Sequence, residues 1–181
     1  MADESKLLVP ENLSFEAALG ITQELLDRGV AGALTGAEWE TAIARLVATE
    51  NGARGFFVVY LSDARAQMDT LMDRVMAALS TAPDVISSLL VKNLAMSTAM
   101  AIAHRRNQNE DLAQGSERVR ARSLHLIQTL QTQQLQQEAT ALATSIATAT
   151  GSYASFLQRW GYDAEQRQAI AQVLQETGLG A

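Results

Sequence analysis

Four polar side chains, Lys92, Asn93, Ser97 and His104, interrupt an apolar run that follows Asp84, and the run ends in Arg105 and Arg106. Burying such groups costs free energy unless each finds a partner, so packing explains this stretch least. At about 100° per residue, Asn93, Ser97 and His104 share one helical stripe. Arg118, Arg122 and His125, at i, i+4 and i+7, share another on the segment that follows. An antiparallel turn through residues 107–115 brings the end of the first segment near the start of the second. Guanidiniums gathered beside a helix terminus bind carboxylate or phosphate through charge-assisted hydrogen bonds. The candidate ligand-binding residues are therefore Lys92, Asn93, Ser97, His104, Arg105, Arg106, Arg118, Arg122 and His125, with a small anion as ligand. The competing expectation is that these arginines pair with Glu110, Asp111, Glu117 or the acidic N-terminal half, while Asn93 and Ser97 bridge helices.

Other chemistries find less support. His104 and His125 stand 21 residues apart with no carboxylate one turn from either, whereas zinc needs several ligands at tight spacing. The absence of cysteine excludes disulfides and thiolate metal sites. Met68, Met72 and Met76, like Met96 and Met100, recur at i+4; thioethers suit copper(I) or an adaptable partner groove. Met68 and Met72 also fit a core face, and Met76 lies off it. No Gly-x-Ser-x-Gly elbow, phosphate-binding loop, Gly-x-Gly-x-x-Gly or Glu-x-x-His occurs. Asp69 and Asp73 sit on a polar face beside Arg74, the setting of ordinary salt bridges. The expectation is no catalytic residue, no metal and no cofactor, with nothing in favour of an enzyme.

The elements that must position these residues are helices. Ala, Leu, Gln, Glu, Met and Arg dominate, and the two prolines, Pro10 and Pro83, fall at boundaries. Ser14 caps a first helix through about Arg28, stopped by Gly29 to Gly32. Thr35 and Glu38 form a capping box that opens a helix with Trp39, Ile43 and Leu46 inward, ended by Asn51-Gly52. Residues 56–61 have strand composition, but no other segment reads as a pairing strand, so the segment is taken as helical, with an edge strand paired across a dimer as the minor alternative. Asp63 caps an amphipathic helix holding Met68, Met72, Val75 and Leu79. The central helix covers 85–106, a polar linker 107–111, and Gly115-Ser116 starts the next helix, which weakens near 131–134. A short helix at 152–160 stops at Gly161, and Asp163 with Gln166 caps the last.

This pattern predicts an all-α, single-domain irregular helical bundle of about six to eight helices, with a flexible arm at 1–12 and the bundle at 13–178. The net charge of −6 is unevenly spread. Residues 1–84 carry 6 basic and 13 acidic side chains, residues 85–122 carry 6 and 3, and the remainder 2 and 4. That balance argues against nucleic acid. Residues 1–6 are polar and lack an apolar signal region, and the most apolar run, 85–103, holds Lys92 and Asn93 at its middle. The expectation is a cytoplasmic protein without a membrane span.

The phrases Arg54-Gly-Phe-Phe57, Lys92-Asn-Leu-Ala-Met-Ser-Thr-Ala-Met100 and Arg159-Trp-Gly-Tyr-Asp163 resemble an uncharacterised cyanobacterial all-helical protein family. The resemblance implies a cytoplasmic bacterial protein and no specific activity. The reading that follows from the residues is a non-enzymatic interaction domain, an adaptor or a homo-oligomer, using the 85–130 helical pair. The alternative is an anionic-ligand sensor with a pocket near Asn93, Ser97, His104 and the arginines from Arg105 to Arg122.

Overall fold

The computed structural model describes residues 9–179, which form ten helices and no strand. Of the expected N-terminal arm, residues 1–8 lie outside the described residues; Val9 and Leu13 are buried. The chain divides into two compact units, Met1–Ile86 and Ser87–Ala181, and the division falls within one long helix.

In the first unit α1 (Phe15–Val30) is capped by the Ser14 hydroxyl, and α2 (Gly36–Val47) by the reciprocal Thr35–Glu38 box. The expected end at Asn51-Gly52 is corrected: α2 stops at Val47, and these two residues lie in the first turn of α3 (Glu50–Ser62). The reason is steric and local. Thr49 accepts the Gly52 amide and caps α3, while a Cβ on Gly52 would stand 1.9 Å from the Leu46 carbonyl oxygen. Glycine here permits a close approach instead of ending a helix.

Residues 56–61 are helical, as their lack of a pairing strand required. Phe56, Phe57, Tyr60 and Leu61 are buried, with Phe56 stacked on Tyr60 at 5.3 Å. The α3 helix packs chiefly on α1. Asp63 does not cap the next helix; its carboxylate receives the Arg65 amide at 2.8 Å and the Arg65 guanidinium. The single amphipathic helix expected after it is two pieces, α4 (Gln67–Thr70) and α5 (Met72–Leu79), divided at Leu71. The inward set Met68, Met72, Val75 and Leu79 is buried as its spacing predicts, and α5 packs on α2.

The long helix α6 (Pro83–Arg106) starts on a proline, tolerated at a first helical position because no intrahelical amide bond is lost there. By length and composition it is apolar enough to cross a membrane, and more than half of its most apolar stretch is buried. In the second unit α7 (Glu110–Leu130) begins earlier than Gly115-Ser116, because Asn109 accepts the Leu112 amide and caps it. The weak point near 131–134 is a true break: Gln131 takes a left-handed conformation, φ +43°, and Thr132 caps α8 (Gln133–Thr148). Then follow α9 (Ala154–Trp160), ended by Gly161, and α10 (Ala164–Glu176), opened by the Asp163–Gln166 box. The α8 helix packs on α10 and α9.

Candidate functional site

Inside α6 the polar residues are satisfied mostly by their own surroundings. Ser97 is buried, and its hydroxyl donates back to the Asn93 carbonyl at 2.6 Å and to Leu94 at 3.2 Å. Thr98 does the same toward Leu94. This back-bonding is how a hydroxyl avoids a desolvation cost within a helix, and it turns Ser97 away from any ligand. Lys92 is partly exposed, with its ammonium 5.8 Å from the Tyr153 ring centroid, a cation–π approach. The Tyr153 hydroxyl donates to Glu138, and burial together with that carboxylate holds its pKa far above the ordinary phenol value. Asn93 and His104 are partly exposed, and the His104 carbonyl accepts the Asn109 amide that closes the loop to α7.

The arginines are gathered, but around carboxylates. Arg105 donates to Glu117 at 2.9 Å and approaches Glu110 at 3.6 Å, tying the end of α6 to the first turns of α7. Arg106 binds Asp163 and Glu165 at the start of α10. These partners raise both guanidinium pKa values, and Arg106 in turn holds the Asp163 carboxyl below its usual value. Arg120, which the spacing argument passed over, bridges Glu176 at 3.1 Å and Glu117 at 3.6 Å. Arg122 is buried and Arg118 partly buried, neither being a free cation, while His125 is exposed. The structure therefore joins Arg105 to α7 and Arg106 to α10, in each case through acidic residues. Exposed pairs of this type are screened by water and contribute little to stability.

A hollow of about 180 Å³ lies one position along α6 from Ser97, lined by Thr98, Ala101, Ile102, Glu117, Arg120 and Glu176. That is below the roughly 300–1,000 Å³ of ordinary ligand pockets, and its charged walls already pair with one another. Among the described residues no group of three His, Asp or Glu side chains could hold a metal ion.

Beside its polar groups, α6 leaves an apolar strip partly open. Within the second unit Leu89, Met96, Met100 and Ala103 are partly exposed, with Lys92 among them. These five positions fall within about 80° of arc on one helix. On the other side Leu90, Val91, Leu94, Ala95 and Ala99 are fully buried. The spacing of Met96 and Met100 was visible in the sequence, but an apolar helix offers no signal for which of its faces lies outward.

Residues 14–177 match the model of a family described as Uncharacterised conserved protein UCP020893. No curated protein and no solved structure matches the chain.

Proposed function

The chain belongs to this uncharacterised conserved family, and we propose that it acts as a non-enzymatic helical interaction protein that associates with a second copy of itself. The observation that carries the reading is the partly exposed apolar strip of α6: Leu89, Met96, Met100 and Ala103. A helix that meets only water on its outer face normally places charged residues there. Methionine side chains, unbranched and polarizable, adapt to a partner surface.

The occupant follows from the spacing. If two copies pair antiparallel about a two-fold axis at Met96, Leu89 meets Ala103, Lys92 meets Met100, and Met96 meets Met96. Large faces small, and the two ammonium groups stand about 12 Å apart along the axis. Such an isologous contact is self-complementary. From Leu89 to Ala103 the strip is about 21 Å long, and at about 10 Å width it covers roughly a quarter of the ~800 Å² per partner in a standard interface. The association is therefore weak and reversible.

The arginine end is the lesser reading, because an anion there would have to displace Glu117, Asp163 and Glu165 from guanidiniums they already hold. Sedimentation from roughly 10 µM to 1 mM, the range in which a weak dimer forms, tests the proposal. A dimer that grows with concentration is expected, and Met96→Glu, which sets two carboxylates against each other at the axis, should leave monomer throughout. A wild-type chain that stays monomeric near 1 mM, or a Met96→Glu chain that dimerises unchanged, overturns it.

A further inference from the structure

The strip of α6 that carries the self-association is built largely on sulfur. Of the five methionines among the described residues, Met68 and Met72 are buried. Met76, Met96 and Met100 are partly exposed, and only Met96 and Met100 belong to the strip. They stand at i and i+4, so both thioethers emerge on one face, a turn apart. The chain has no cysteine, so an oxidant in solution meets no thiol, and accessible thioether is the sulfur it finds.

The chemistry is simple with a peroxide as oxidant. The thioether sulfur attacks one peroxide oxygen, a sulfur–oxygen bond forms, and the oxygen–oxygen bond breaks. The departing hydroxide takes up a proton and leaves as water. Sulfur is oxidised by two electrons and the peroxide is reduced by two. A flexible apolar side chain becomes a polar, chiral sulfoxide. In the antiparallel pair described above, Met96 faces Met96 at the axis and each Met100 faces Lys92 of the other copy. A sulfoxide on Met100 can accept a hydrogen bond from that ammonium. The two on Met96 are both acceptors with no donor between them, and burying polar groups without partners costs free energy. Met96 therefore carries the larger share of the effect. Because the pairing is weak and reversible, monomer is always present, and its two strip sulfurs are within reach of solvent.

We infer that peroxide releases the α6 contact: oxidation of Met96, with Met100 beside it, turns the strip from an apolar face into a polar one and holds the chain as monomer until the sulfoxides are reduced. The inference rests on the self-association proposed above and names its regulation.

The test treats the full chain with hydrogen peroxide, maps each sulfoxide by mass spectrometry of its peptides, and follows association by sedimentation up to about 1 mM chain. Met96 and Met100 should gain oxygen before Met68 and Met72. The dissociation constant of the dimer should rise about tenfold or more, and methionine sulfoxide reductases with a thiol should restore it. Circular dichroism should show unchanged helicity, which separates lost pairing from lost folding. Each variant is compared with its own untreated state. Met96→Leu should keep most of its association after peroxide, and Met76→Leu, altered away from the strip, should stay as sensitive as the wild type. A wild-type dimer that survives oxidation of Met96, or a Met96→Leu dimer lost to peroxide as readily as the wild type, overturns the inference and leaves self-association standing. A wild-type chain that is monomeric before any treatment removes both.

Discussion

Replacing Gly55 with alanine should destabilise the protein, although the same change elsewhere in its helices should do the opposite. A Cβ at Gly55 would stand 2.5 Å from the Ala18 Cβ, 3.0 Å from the Ala18 carbonyl carbon and 3.1 Å from the Leu19 nitrogen. Two of these three obstacles are backbone, so no rotamer relieves them, and α1 must retreat from α3 by about 1 Å to restore ordinary contact. A gap of that size forfeits a quarter to a half of each dispersion contact across the seam, and overpacked cores lose about 1–3 kcal/mol. Alanine recovers about 1 kcal/mol of helix propensity. With three obstacles met at once the upper half of that range applies, so the net expectation is a loss of about 1–2 kcal/mol, or a fall in Tm of roughly 2–8 °C for a chain of this size.

Gly20 and Gly115, also inside helices, have nothing within 4 Å of an added Cβ, so Gly20→Ala and Gly115→Ala should each gain about 0.5–1 kcal/mol. Thermal melts followed by circular dichroism, with urea titrations checking that the m-value is constant, read both signs. A Gly55→Ala protein as stable as the wild type, or a Gly20→Ala protein that falls equally far, would refute the close packing of α1 on α3.

Two further outcomes follow from local structure. Asn109→Ala should cost about 1 kcal/mol, because Asn109 caps α7, while Ser116→Ala, inside the helix, should change urea stability by less than about 0.5 kcal/mol; the reverse order would place the start of α7 at Gly115-Ser116. The Tyr162 phenol is buried without a hydrogen-bond partner, and burial pushes its pKa up to about 12. Below pH 10 both folded and unfolded chains hold the proton, so its contribution to stability is complete there. Between pH 10 and 12 the unfolded chain ionises first, and on the order of 2–3 kcal/mol is lost as pH rises. Phenolate absorbance and urea melts across that window check it. Tyr162→Phe should remove that share of the loss without lowering stability at pH 7, leaving the share of Tyr153, whose phenol is also held above its ordinary value. A Tyr162 titration midpoint near 10 would contradict the buried environment.

Much of the fold was legible because helix signals are local. The Thr35–Glu38 and Asp163–Gln166 boxes use side chains three residues from the backbone they bond, and the break at Gln131 and the stop at Gly161 use left-handed residues whose amides bond carbonyls three or four residues back. Residues 56–61 could be assigned to a helix because a strand has no stability without a partner strand. The candidate site was less legible. Spacing located Ser97 on its stripe, but its hydroxyl had a carbonyl four residues back as ready partner. It also located Arg106, whose carboxylates lie 57 and 59 residues onward.

Sequence by itself determined the helical class, most helix boundaries and the residues that face inward on α2 and on α4 and α5, since each of these is written in contacts of short range. Glu110 and Glu117 were legible as arginine partners, whereas tertiary structure alone decided that Arg106 takes Asp163 and Glu165, which face of α6 stays open, and whether a helix glycine is a weakness or a requirement. Gly20, Gly55 and Gly115 look alike along the chain; only the arrival of Ala18 against Gly55, from 37 residues earlier, makes one of them indispensable.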